Sequence, residues 1–222
     1  MTRGWTTAQL PQPSPLCRGP VLVLAPHVDD EAIGCGGTLL RHAGQGDAVH
    51  VAYVLEDATQ QAARQAEGQR ASQMLGAAAS HLRCPRDRAA VGRALRPLIE
   101  QVEPAVIYAP WLLDNHESHL LVAHALADLL EQGVACGEVW GYEVWTPLIP
   151  NRIVDITAVL QRKAAVLQQY ASQLARKDVA SMGLGLSRYR AGLLADRAAQ
   201  AAEVFLALTP QEYVRMRREL SR

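Results

Sequence analysis

The run Val21-Leu-Val-Leu-Ala25 has no polar face. Five consecutive apolar residues suit a strand covered on both sides, as in a parallel sheet. Residues 105–109, Ala-Val-Ile-Tyr-Ala, form a second such run. Between them the patterning predicts a helix over about 32–44 ended by Gly44, a strand over 48–55, a helix over 60–75, a short strand over 81–84, and a helix over 89–102 that stops before Pro104. Beyond the second run it predicts a helix over 119–132, strands over 138–144 and 152–156, a helix over 158–174, a further helix over 193–199, a strand over 204–208 and a polar helix after Pro210. Strands alternating with helices imply an α/β chain, a three-layer α/β/α sandwich around a mostly parallel, Rossmann-like sheet. Residues 1–19 read as a loose lead-in and 20–222 as one domain, which the length of 222 residues fits. In this architecture ligands bind beyond the carboxyl ends of the strands. They favour the switch point, here between the first and fourth strands.

Charge narrows the functional classes. Lysine and arginine number 22, aspartate and glutamate 22, so no field of one sign is available to steer a polyanion. Aromatics make up 5%, which argues against a base-stacking platform. Nucleic acid is therefore not expected as a partner. Cys17, Cys35, Cys84 and Cys136 form no C-x-x-C pair, which excludes a zinc ribbon. The N-terminal residues lack a basic-then-apolar signal pattern, and no apolar stretch is long enough to span a bilayer. A cytoplasmic protein with free thiols is expected.

The first apolar run is followed at once by Pro26-His27-Val28-Asp29-Asp30-Glu31, four ionisable groups within five residues. Carboxylates capping the next helix would account for one or two acids. They would not account for His27 beside them. A divalent cation accounts for all of it, because it reverses the local charge logic. Histidine and aspartate are good zinc ligands, and a catalytic zinc needs only three from the protein.

The second run is followed by Trp111-Leu-Leu-Asp114-Asn-His116-Glu-Ser-His119. Alone, two histidines three apart would fit an ordinary solvent-exposed loop. Location changes this, since the loops after the first and fourth strands meet at the switch point. His42, His50, His81 and His124 have no such company and read as surface or satisfied core residues. A competing reading takes Glu31-Ala-Ile-Gly34-Cys-Gly36-Gly37-Thr38 as the glycine-rich loop of a methyltransferase. That loop should follow the strand directly, and here Pro26–Asp30 intervenes. Leu39 occupies the place of a third dinucleotide-binding glycine, and the adjacent acids would repel phosphate. These glycines fit better as close packing of the first helix on the sheet. No G-x-S-x-G elbow exists for a serine hydrolase.

Pro26-His27-Val28-Asp29-Asp30-Glu31 resembles the Pro/Ala-His-Pro-Asp-Asp-Glu signature of the LmbE/PIG-L family of zinc-dependent N-acetyl deacetylases. Asp114-Asn-His116-Glu-Ser-His119 is similar to that family's Asp-x-His-x-Asp-His motif, Lys163 through Tyr170-Ala-Ser172-Gln173 to its Lys…Tyr-x-Ser-Gln, and Arg64-x-x-Glu67 with Leu75-Gly76 to a further pattern. Val28 and Ser118 depart from the motifs. The resemblance implies that His27, Asp30 and His119 bind zinc or another divalent metal, that Asp29 is the general base, that His116 assists as acid or oxyanion partner, and that Arg64 contacts substrate. It implies a small-molecule or glycoconjugate substrate of the N-acetylglucosamine type and leaves a homo-oligomer open. A zinc ion with an open position lowers the pKa of bound water towards about 7 and polarises a carbonyl, the two aids that amide hydrolysis needs. A non-catalytic metal-binding module on the same fold is the remaining alternative, and the spare acid Asp29 argues against it.

Overall fold

The computed structural model describes residues 10–55 and 61–220. The elements run β1 (Val21–Ala25), α1 (Asp30–Gly44), β2 (Val49–Leu55), α2 (Gln61–Leu75), β3 (Ala78–Cys84), α3 (Arg88–Val102), β4 (Val106–Pro110), α4 (Glu117–Glu131), β5 (Glu138–Tyr142), β6 (Arg152–Asp155), α5 (Leu160–Leu167), α6 (Ala171–Leu174), α7 (Val179–Ala191), β7 (Ala202–Leu208) and α8 (Pro210–Leu220). The sheet order is β3-β2-β1-β4-β5-β7-β6. The first five strands pair in parallel, while β7 runs antiparallel to both β5 and β6.

The period of two along each strand divides the core into two layers. Val21, Val23 and Ala25 of β1 and Val49, Val51 and Tyr53 of β2 pack with residues of α1, α2, α5 and α7. Leu22 and Leu24 of β1, with Ala52 and Val54 of β2, pack with α3, α4 and α8. The chain is thus a single α/β domain of three layers. Its central strands are covered on both faces, as the unbroken apolar run of β1 requires.

Close approach explains Gly34 and Gly37 of α1. A Cβ at Gly34 would lie 2.4 Å from the Tyr142 ring, and one at Gly37 would lie 2.6 Å from Ile156. The same helix meets a fully buried ion pair. Lys163 Nζ donates to Glu203 Oε1 at 2.6 Å, to the Ile33 carbonyl at 2.9 Å and to Ser187 Oγ at 3.0 Å. The Glu203 carboxylate also accepts from the N–H groups of Gly37 and Thr38. With both charges hydrogen bonded, the pair ties α1, α5, α7 and β7 together.

The carboxyl-terminal third differs from the sequence expectation. The helix expected over 158–174 is three pieces, a 3₁₀ turn at Thr157–Val159 followed by α5 and α6. Tyr170, at φ −89° and ψ 56°, leaves the helical region and is wholly buried. The expected helix over 193–199 is a series of turns. In its place stands α7, which the sequence reading omitted. Gly183 and Gly185 each disfavour a helix by about 1 kcal/mol relative to alanine. Packing overrides that cost: Asp178 caps the helix by accepting from the Ser181 N–H at 2.9 Å, and the position of a Cβ on Gly183 lies 3.6 Å from the Ile33 Cα of α1.

Within the expected lead-in, the Ser14 N–H donates to the Ile153 carbonyl at 2.6 Å and the Gly19 N–H to Asp47 at 3.2 Å. Residues 1–9 lie outside the described residues. The four cysteines are free. Among the described residues no helix is long and apolar enough to cross a membrane.

Candidate metal centre and active site

Strands β1 and β4 are parallel neighbours, so the loops that leave them emerge at the same edge of the sheet. Their following helices lie on opposite faces, α1 with one core layer and α4 with the other. This is the switch point. His27 stands in the loop after β1, and Asp30 opens α1. His116 is the N-cap of α4 and His119 lies in its first turn, past the end of β4 where the strand count had placed it.

Three side chains converge here. Oδ2 of Asp30 lies 3.2 Å from His27 Nδ1 and 3.2 Å from His119 Nε2. The same oxygen accepts from the His27 backbone N–H at 2.8 Å, which fixes the turn between them. Donors bound at about 2.1 Å in a tetrahedral arrangement stand about 3.4 Å apart, so these spacings suit one small cation. His116 joins the group: ring donors of His27, His116 and His119 lie within 4.8 Å of one another. Both ring nitrogens of buried His119 lack a well-aligned hydrogen bond, although Asp30 and Asp114 flank them. Burial works against a charge on this ring, yet the carboxylates of Asp30 and Asp114 pull its pKa up to about 10. Burial likewise opposes ionisation of Asp30, but His119 and His27 hold its carboxyl well below the usual range. The spacing of Asp30 Oδ2 from the rings of His27 and His119 would fit a divalent metal.

Asp29 stands apart from this set. It is 7% exposed, with φ 132° and ψ −26°, a backbone conformation L-residues rarely adopt. Burial, then the charges of Asp30 and Glu31, push its carboxyl well above the usual aspartate value. Its N–H donates to Glu31 Oε2 at 3.2 Å. His116 Nδ1 accepts from the Ser118 N–H at 3.3 Å, so Nε2 carries the proton of the neutral ring. Burial lowers the His116 pKa, and the neighbouring His119 and His27 lower it further.

Arg64 is buried. Its Nη2 donates to the Val28 carbonyl at 3.3 Å, and the Gln173 amide oxygen, turned towards it, accepts from Nε at 3.0 Å. Glu67 accepts from the Ser172 N–H at 2.9 Å and its hydroxyl at 2.6 Å. The Tyr170-Ala-Ser172-Gln173 stretch thus closes onto α2 and the β1–α1 loop. Ser118 Oγ accepts from Arg86 Nη1.

Sequence reasoning gave Asp114 no role. It sets Oδ2 3.3 Å from His119 Nδ1 while accepting backbone N–H groups from His116 and Trp145. Its place two residues before His116 was the available signal. Among the aromatics around these loops, Tyr142 is core, its hydroxyl donating to the Leu24 carbonyl, and Trp111 is buried, its indole N–H donating to the Thr146 carbonyl. Trp145 is 37% exposed and stacks on His116, ring centroids 6.1 Å apart.

The sequence over residues 22–130 matches the family model described as PIG-L, GlcNAc-PI de-N-acetylase. Over this stretch the chain is similar to the PIG-L family. The chain is also similar to solved structures. The 4-carboxy-2-hydroxymuconate hydratase of Pseudomonas putida superimposes with a TM-score of 0.72 at 22% identity, covering 87% of this chain and 97% of the other. A conserved protein of Thermus thermophilus gives 0.73 at 24%, covering 86% and 95%. The N,N'-diacetylchitobiose deacetylase of Pyrococcus horikoshii gives 0.68 at 21%, covering 88% and 85%. At these identities the likeness establishes the fold. No curated protein matches this chain in sequence.

Proposed function

We propose that the chain is a metal-dependent amidohydrolase that removes the acetyl group from an N-acetylated sugar or glycoconjugate of the N-acetylglucosamine type. The observation that carries this reading is one carboxylate oxygen, Asp30 Oδ2, 3.2 Å from a nitrogen of both His27 and His119, with a second carboxylate, Asp29, left outside the set. His27, Asp30 and His119 would hold a divalent ion, which would supply a Lewis acid and ease the ionisation of water. Asp29 takes a proton from the attacking water. The water oxygen bonds to the acetyl carbon, and His116, with Nε2–H free for the site, donates a hydrogen bond to the developing oxyanion. The carbon–nitrogen bond then breaks, the proton held by Asp29 passes to the departing nitrogen, and the products are a free amine and acetate. Trp145 offers its ring face beside His116 to the sugar. Arg64 acts through the Val28 carbonyl, holding the β1–α1 loop in place.

The family model names a de-N-acetylase, and a neighbour in fold, the Pyrococcus horikoshii protein, is a diacetylchitobiose deacetylase. Another is a hydratase, so the fold by itself does not choose between the two chemistries. Acetate release from a panel of N-acetylated sugars tests the choice. It should be abolished by chelation and restored by zinc. Full activity after thorough chelation, or water addition to an unsaturated acid with no acetate released from any sugar, would overturn the reading.

A further inference from the structure

Glu31 is the last acid of the first motif, and it does not face the metal-binding side chains. It is fully buried, and its carboxylate accepts hydrogen bonds from three separate parts of the fold. Oε1 accepts from the Tyr53 hydroxyl of β2 at 2.8 Å and from the Tyr170 hydroxyl of the α5–α6 connection. Tyr53 is itself within 3.0 Å of Ser72 Oγ and 3.1 Å of the Gly68 carbonyl, both on α2. Oε2 accepts the backbone N–H of Asp29. Among the described residues Glu31 makes no ion pair, so a carboxylate is buried on neutral donors alone, a costly arrangement for a core.

What it holds is unusual. Asp29 sits at φ 132°, and such a conformation persists only where its surroundings over-determine it. Rotation of the 28–29 peptide out of this state would withdraw the Asp29 N–H from Glu31 and swing its carboxylate away from His119 and Asp30. We infer that Glu31, locked by the Tyr53 and Tyr170 hydroxyls, is a positioning residue that fixes the backbone of Asp29 and so aims its carboxylate. The break between α5 and α6 follows the same logic, since Tyr170 departs from helical angles at the point where its hydroxyl reaches Glu31.

The inference rests on the reading of Asp29 as the base, and a double-mutant cycle separates the two. Tyr170→Phe keeps the ring and removes one donor to Glu31. It should lower kcat by about tenfold, the size of one hydrogen bond to a charged group, with KM and zinc content unchanged. In an Asp29→Asn background the same substitution should cost less than about twofold. Amide exchange of Asp29 in the zinc-free protein should quicken in Tyr170→Phe and in Tyr53→Phe, which also serves if one of the two fails to fold. Equal losses in both backgrounds, or unchanged protection of the Asp29 amide in both tyrosine variants, would overturn the clamp. An Asp29→Asn enzyme with wild-type turnover would overturn the underlying reading of Asp29 instead.

Discussion

Asp114 places Oδ2 3.3 Å from Nδ1 of His119, while the opposite nitrogen of the same ring faces Asp30 at 3.2 Å. A carboxylate behind a ligand imidazole fixes its tautomer and raises its basicity. Asp114→Asn keeps an acceptor for one of the two N–H groups, that of His116 or that of Trp145, and removes the charge. Zinc affinity in a competition titration should fall by about 10–100-fold, with the fold intact. An unchanged affinity would remove Asp114 from the metal centre.

The backbone of Asp29 sets stability against activity. A residue other than glycine at φ 132° stores on the order of 1–3 kcal/mol. Asp29→Gly and Asp29→Ala both delete the buried carboxylate and differ only in a Cβ. The glycine variant should unfold at the higher temperature, by an amount equivalent to about 1 kcal/mol or more, and neither should turn over substrate at more than about 1% of the wild-type rate. Equal unfolding midpoints would show that the conformation carries no strain.

The sequence made the central sheet plain because β1, β2 and β4 are covered on both sides and so read as apolar runs. It also placed His27, Asp30 and His119 in two loops that only the strand order brings together. What it concealed depends on distant pairs. Glu203 lies 166 positions from Gly37, and Tyr170 lies 139 from Glu31, yet each reaches its partner in the fold. The helix α7 was hidden because Gly183 serves contact with α1 and not local propensity. His81, expected to be surface or satisfied, has a buried Nε2 that makes no hydrogen bond among the described residues, and its ring stacks on Tyr53 instead.

His42 is fully buried between Asp47 Oδ2 at 2.7 Å and the Tyr108 hydroxyl at 2.9 Å, with Arg41 the nearby cation. Burial lowers its pKa, and Asp47 opposes this without reversing it. The unfolded chain, with a histidine pKa of about 6.5, therefore binds the proton first as pH falls. Its contribution to stability is present above about pH 6.5 and lost on acidification below it. His42→Gln does not titrate, so its stability should fall less than the wild type between about pH 7 and 5 in denaturant titrations. Parallel curves would place the proton uptake elsewhere.

Trp145 stacks on His116, and Lys177 Nζ lies 4.2 Å above its ring. If this face receives the sugar, Trp145→Ala should raise KM by about 5–10-fold, equivalent to about 1 kcal/mol of ring contact, with a smaller effect on kcat. A fall in kcat at constant KM would place Trp145 in support of His116 rather than against substrate.

The division of work between Asp29 and Asp30 is the centre of the account. Asp30 Oδ2 lies between two imidazoles, and Asp29 lies beside them without joining the set. Zinc content and acetate release, measured side by side for Asp29→Asn and Asp30→Asn, test this most directly. Asp29→Asn should retain zinc and lose about 10²–10⁴-fold in turnover, while Asp30→Asn should lose zinc affinity. Zinc lost from Asp29→Asn and kept by Asp30→Asn would reverse the two roles, and full metal with full activity in both would show that the chemistry happens elsewhere.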